Sequence, residues 1–262
     1  MLVQGFYHGT HMRLVEADRP QGLIFYVHGL GESGLCLEHL MAHPLLKGFT
    51  HIAPDLPGYG KSPWTHAPLS VVEYADAVAG WISLYAADAV FLLGHSLGGV
   101  IGTCLCERHP ELVRLFVNVE GNISAEDCTL SCRIAGHTLE DFLAYGYEMF
   151  CEETYRRGMH EKALRMYYAS MRMCDPRQLY ASSTELMDLS AREDLGLRLA
   201  GLKVPACYLW GDPRGTQGHS LGLLEAAGVP LVKVDDAGHW PFIDQPDAIA
   251  RHLLAVLETN LR

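Results

Sequence analysis

Apolar residues are distributed along this chain in two textures. The first is a set of short, largely apolar runs at 22–27 (Gly-Leu-Ile-Phe-Tyr-Val), 90–93 (Val-Phe-Leu-Leu), 113–119, 204–210 and 231–234. Runs of this length read as strands buried on both faces, as in a parallel sheet. Residues 4–16 alternate in places like a strand with one wet face. The second texture is helical. Ser70 with Glu73 forms a capping-box pattern, and Val71, Tyr74, Val78, Trp81, Ile82 and Tyr85 then repeat at helical spacing. Residues 244–261 predict a closing amphipathic helix.

From 124 to 201 the pattern is helical without strands. Thr138 with Asp141 looks like a helix start, followed by Leu139, Phe142, Leu143, Tyr147 and Phe150 on one face. Ala163, Met166, Tyr167, Ser170 and Met171 make a second face, and Pro176 opens a third helix. Six of the nine methionines and six of the twelve tyrosines fall in this stretch. A helical insert between two strands sits over one edge of the sheet and roofs whatever lies there, so these side chains are expected to suit a largely apolar group with a polar end.

The strand at 90–93 runs into Gly94-His95-Ser96-Leu97-Gly98, a Gly-x-Ser-x-Gly that reads as a strand-to-helix nucleophile elbow. The turn strains the serine backbone, and small residues two before and two after let strand and helix pass closely. A helix over about 99–108 would aim its first amides at charge developing on the serine oxygen. Ser96 is therefore the candidate nucleophile. Glu120 follows the run at 113–119, at the strand edge where parallel sheets build sites. His239 follows a late strand by a short loop, between a glycine and bulky aromatics, a setting that suits a base.

Gly29-Leu30-Gly31-Glu32-Ser33-Gly34 after a strand, with Asp55 21 residues beyond Gly34, also fits a dinucleotide fingerprint. That reading leaves the elbow and the late histidine unexplained. The competing reading makes His28-Gly29-x-Gly31 a loop that lifts the Leu30 amide towards the serine. Gly60-Lys61-Ser62 imitates the end of a P-loop, but the position that needs glycine holds Asp55, which is expected to be structural.

Composition narrows the field. Twenty Lys and Arg against 31 Asp and Glu leave a formal charge of −11, with no basic run to attract nucleic acid or an anionic membrane. With neither a signal-peptide pattern nor an apolar stretch of about 20 residues, the expectation is a soluble, cytoplasmic protein. Eight cysteines without C-x-x-C read as reduced core thiols; Cys128 and Cys132 with His137 lack a fourth ligand, so no metal is expected.

His-Gly-Leu-Gly from 28, Asp-Leu-Pro-Gly-Tyr-Gly-Lys-Ser from 55, Gly-His-Ser-Leu-Gly-Gly from 94 and Gly-His-Trp-Pro-Phe from 238 each follow an apolar strand. In that order they resemble the α/β-hydrolase family over essentially the whole chain. The resemblance implies an α/β fold: a mostly parallel central sheet flanked by helices, with residues 1–123 and 202–262 as the core and 124–201 as an inserted helical cap. It also implies Ser96 as nucleophile, His239 as general base and then acid, and the amides of Leu30 and Leu97 as the oxyanion hole. His28 would shape its loop. The chain departs from the family at the triad acid. Most relatives carry it three residues after the glycine ending the seventh strand, which here is Arg214, whereas some carry it directly after the sixth strand, where Glu120 stands. Glu120 is the expected acid and Asp212 the alternative.

A serine in place of the aspartate of the dehalogenases and epoxide hydrolases leaves acyl transfer to water as the expected chemistry. The leading expectation is hydrolysis of a small to medium, largely apolar carboxylic ester through an acyl-enzyme. Thioester cleavage and carbon–carbon bond hydrolysis of a ring-fission diketone remain open, as does a small-ligand receptor of the same fold. The expected partner is a small-molecule ester or related acyl substrate, with no cofactor, nucleic acid or membrane; a homodimer is compatible with the sequence.

Overall fold

The apolar runs form one sheet whose central strands are covered on both sides. In this computed structural model, residues 1–86 and 88–260 are described. The strands are β1 (Leu2–Tyr7), β2 (Thr10–Val15), β3 (Leu23–Val27), β4 (Thr50–Pro54), β5 (Val90–His95), β6 (Val113–Val119), β7 (Ala206–Arg214) and β8 (Leu231–Gly238). They lie in the order β1-β2-β4-β3-β5-β6-β7-β8. The pairings among β3 to β8 are all parallel, and only the β1–β2 and β2–β4 pairs are antiparallel.

Alternate residues of the central strands serve opposite cores. Phe25, Val27, Leu92 and Phe116 pack on one face with Val78 and Ile82 of the helix Val71–Tyr85 and Ile101 and Leu105 of the helix Leu97–Arg108. Ile24, Tyr26, Phe91 and Leu93 face the other way, with Ile249, Leu253 and Leu257 of the helix Pro246–Thr259. Burial on both sides is why these strands are apolar on both faces rather than at every second position. The outer strand β1 has mostly exposed or half-buried positions, in keeping with its place at the sheet edge.

Local signals and structure agree closely at helix starts. Both bonds of the Ser70–Glu73 capping box form, Thr138 accepts from the Asp141 amide, and Pro176 occupies the first turn of Pro176–Ser190. The helix after Ser96 begins two residues earlier than the pattern predicts, at Leu97. The closing element is interrupted: Pro241–Asp244 and Pro246–Thr259 are separate helices, because Pro246 has no N–H with which to continue the first. The expected end of that element, residue 261, lies outside the described residues.

Between β6 and β7 the described residues form helices only. One expectation there fails. Phe142, Tyr147 and Phe150 are buried, but Leu139 and Leu143 are 44% and 45% exposed. The segment Phe142–Gly146 is a π-turn, whose extra residue rotates the preceding turn away from the core. The second face behaves as expected, with Ala163, Tyr167, Ser170 and Met171 buried. Ser170 reaches the sheet domain, its Oγ lying 2.9 Å from that of Ser33. No helix among the described residues is long and apolar enough to cross a membrane.

Candidate active site

Ser96 occupies the junction between β5 and the helix Leu97–Arg108 with φ 52° and ψ −119°, a conformation few non-glycine residues adopt. The crossing is tight. A Cβ on Gly94 would strike the Gly98 carbonyl, and one on Gly98 would strike the Val27 carbonyl of the neighbouring strand. The amide of Leu97 opens the helix next to Ser96. Across from it runs the loop after β3, close enough that a Cβ on Gly29 would lie 3.0 Å from the Ser96 Cβ. His28 shapes this loop. It donates from Nδ1 to the Gly29 carbonyl (2.9 Å) and accepts the Leu56 amide at Nε2 (2.9 Å), which fixes it as a neutral imidazole. Burial pushes its pKa down.

Glu120, directly after β6, has φ 54° and a side chain that is 1% exposed. Its Oε1 accepts the Gly211 amide (2.6 Å), and its Oε2 accepts the Thr216 amide and hydroxyl (2.9 Å each). The same Oε2 lies 3.5 Å from Nδ1 of His239, an ion-pair separation rather than a hydrogen bond. A proton held on Nδ1 leaves Nε2 as the basic nitrogen. Asp212 is elsewhere: it is 42% exposed and faces Lys233 Nζ at 3.5 Å. Arg214 is exposed, 4.0 Å from Asp244. Ser96, Leu30 and His239 border one small void of about 20 Å³, together with Trp240, Leu130 and Leu186. A second void of about 650 Å³ opens on the far side of His239 and Trp240. None of the methionines or tyrosines of the helical insert borders either space, so the expected apolar roof over the site is not what these residues form. Tyr147 donates to the Met171 carbonyl (2.7 Å) within the insert, Tyr167 packs against Trp240 and the loop at Gly31, and others such as Met149 and Tyr155 face outward.

Two residues that bear on the site escape the sequence reading. Glu32 is 2% exposed and ties three parts together: its Oε2 accepts the Gly29 amide (2.8 Å) and faces His95 Nδ1 (3.0 Å), while its Oε1 accepts the Trp240 indole N–H (2.5 Å). Nε2 of His95 faces the carbonyl oxygen of His239 at 2.7 Å. Both partners of the His95 ring are acceptors, so both nitrogens must carry protons and the ring is an imidazolium. Burial opposes charge on both groups. Their mutual attraction prevails, with the Glu32 carboxyl held down at about 2 and the His95 pKa raised. The pair thus joins the loop carrying Leu30, the strand carrying Ser96 and the loop carrying His239.

The dinucleotide alternative finds Asp55 committed to the fold. It is buried, and it binds the buried Arg13 guanidinium, His11, and the amides of Gly34 and Lys61. Among the described residues no three His, Cys, Asp or Glu side chains are grouped to hold a metal ion, and seven of the eight free cysteines are buried.

With this geometry stands a family match: the model of the alpha/beta hydrolase family fits residues 24–252. The chain belongs to the alpha/beta hydrolase family. It is similar to 2-(acetamidomethylene)succinate hydrolase of Mesorhizobium japonicum, 34% identical over 98 residues, covering 37% of this chain and 35% of that protein. It is similar over a longer stretch to the pimeloyl-[acyl-carrier protein] methyl ester esterase of Klebsiella pneumoniae, 27% identical over 239 residues and 83% and 86% of the two chains. The chain spans about a third of the length of the first curated relatives it matches. Among solved structures, a thermophilic esterase from Thermogutta terrifontis superposes over 100% of both chains with a TM-score of 0.75 at 20% identity, a likeness of fold.

Proposed function

We propose that this alpha/beta hydrolase is a serine hydrolase that cleaves a small to medium carboxylic ester through an acyl-enzyme. One observation carries the reading: Ser96, in its strained elbow, shares a cavity with His239, whose Nδ1 faces the buried carboxylate of Glu120. In this reading Ser96 Oγ attacks the ester carbonyl while His239 Nε2 takes its proton. Glu120 stabilises the imidazolium that results, with its carboxylate oxygens fixed in place by three donors. The amides of Leu30 and Leu97 stabilise the oxyanion, a contribution of about 3 to 4 kcal/mol per donor in comparable sites. His239 returns the proton to the leaving alcohol, and water repeats the sequence to free the acid. The strained φ of Ser96 holds its Oγ at the tip of a turn, away from the competing bonds a regular helix would offer. Similarity to a relative named as a methyl ester esterase supports the ester over the other substrate classes. The test is hydrolysis of p-nitrophenyl acetate by the wild type and by Ser96→Ala. The reading requires turnover that falls by about a thousandfold or more in the variant; equal rates would refute it.

A further inference from the structure

The void beside Ser96 has room for little more than one water molecule, so a substrate needs neighbouring space, and the 650 Å³ vestibule that shares Thr129, Leu130, His239 and Trp240 with it offers that room. That vestibule is unlike the rest of the molecule. Four cations border it (Arg133, Arg157, Lys162 and Arg214) against two anions, Glu161 and Asp244, in a chain with 20 basic and 31 acidic residues. The cations come from separate parts of the fold: the helix Ser131–Ala135, the two ends of the turn joining Tyr147–Gly158 to Lys162–Met171, and the last residue of β7.

Their present partners are weak competitors for a ligand. Arg157 lies 3.5 Å from Glu161, an exposed contact of the kind that contributes little in water, and the exposed Arg214 lies 4.0 Å from a half-buried Asp244 that already accepts the Gly238 amide. Arg133 pairs with Glu153, and Lys162 has no ion pair among the described residues. Arg214 carries the strongest hint. It stands where most members of the family place the triad acid, and with Glu120 facing His239 the position is free for other chemistry. A cation there, bordering the cavities on both sides of His239, has no use in stabilising an imidazolium and would oppose it. An anionic group on the substrate would satisfy it.

Resting on the ester-hydrolase reading above, we infer that the natural substrate is an ester that also carries a carboxylate, seated in this vestibule, with Lys162 and Arg214 as its specificity-determining cations. The experiment compares charged and neutral members of two matched pairs. 4-Acetoxybenzoate against its methyl ester places the charge on the leaving group; mono-p-nitrophenyl adipate against its methyl ester places it on the acyl group. At least one pair should show kcat/KM favouring the anion by about tenfold or more, and the ratio should fall as salt rises from about 20 to about 500 mM. In K162Q/R214Q the ratio within each pair should drop to about one. Equal rates within both pairs in the wild type, or a ratio untouched by salt and by the double substitution, would overturn the inference. The wild-type salt series decides the matter even if the variant does not fold. If p-nitrophenyl acetate is cleaved through Ser96 and neither pair shows a charge preference, this inference alone fails. If no ester is cleaved at all, the ester-hydrolase reading fails with it.

Discussion

Replacing Glu32 by alanine should be strongly damaging although Glu32 is not one of the proposed catalytic residues. The substitution leaves the buried His95 imidazolium without its counter-charge and removes the acceptor for the Gly29 amide and the Trp240 indole. Removing one partner of a buried ion pair costs about 3 to 5 kcal/mol. For a chain of this size that converts to a fall in melting temperature of about 6 to 20 °C. The pH dependence of the difference between wild type and variant gives a sharper signature. The folded carboxyl is held at about 2, below its ordinary 4.5, so its contribution is fully present above pH 4.5 and is lost as pH falls towards 2. The raised His95 pKa has the opposite sign: its contribution is fully present below 6.5 and is lost as pH rises through the folded value. The stability gap between wild type and Glu32→Ala should therefore be widest between pH 4.5 and 6.5 and narrow on both sides. Thermal unfolding followed by circular dichroism across that range measures it. A shift below about 2 °C, or a gap that does not change with pH, would refute the argument that the pair is ionised and buried. Because the same carboxylate fixes the loop carrying Leu30 and, through His95, the backbone of His239, kcat should fall more than KM rises.

The two acidic candidates separate cleanly. Glu120→Gln should reduce kcat by about three to four orders of magnitude, as loss of a triad carboxylate does elsewhere, while Asp212→Asn, which alters only an exposed contact to Lys233, should keep most of it; steady-state assays with p-nitrophenyl acetate distinguish them, and the reverse pattern would reassign the acid. Gly98→Ala should abolish activity and lower the melting temperature, because its Cβ would meet the backbone carbonyl of Val27 rather than a side chain that can turn aside; a variant with wild-type stability would contradict the close crossing.

Much of this arrangement is legible in the chain because backbone geometry writes itself into small residues and short patterns. The elbow needs Gly94 and Gly98, and the sequence therefore advertises Ser96. Glu120 stands out because it directly follows an apolar run, and His239 because a glycine and bulky aromatics flank it a few residues after the run at 231–234. Glu32 and His95 are not found that way. Charged residues are ordinarily exposed, so nothing local marks a carboxylate as buried, and its partners lie 63 and 208 positions away in sequence. The helical insert shows the same limit. Its amphipathic faces are readable, but a single π-turn at 142–146 displaces Leu139 and Leu143 from the core. Which face covers the site depends on how the helices dock: Tyr167 packs on Trp240 and the loop at Gly31, but no tyrosine or methionine of the insert borders the void beside Ser96. The four cations of the vestibule lie between residues 133 and 214, none of them within the motifs that announce the fold.

The reading of Ser96 as a nucleophile activated by His239 is tested most directly by labelling the protein with a fluorophosphonate and weighing it intact. The wild type should gain a single adduct that maps to Ser96, Ser96→Ala should gain none, and His239→Gln should label far more slowly. A wild-type protein that stays unmodified, or an adduct that persists in Ser96→Ala, would contradict it.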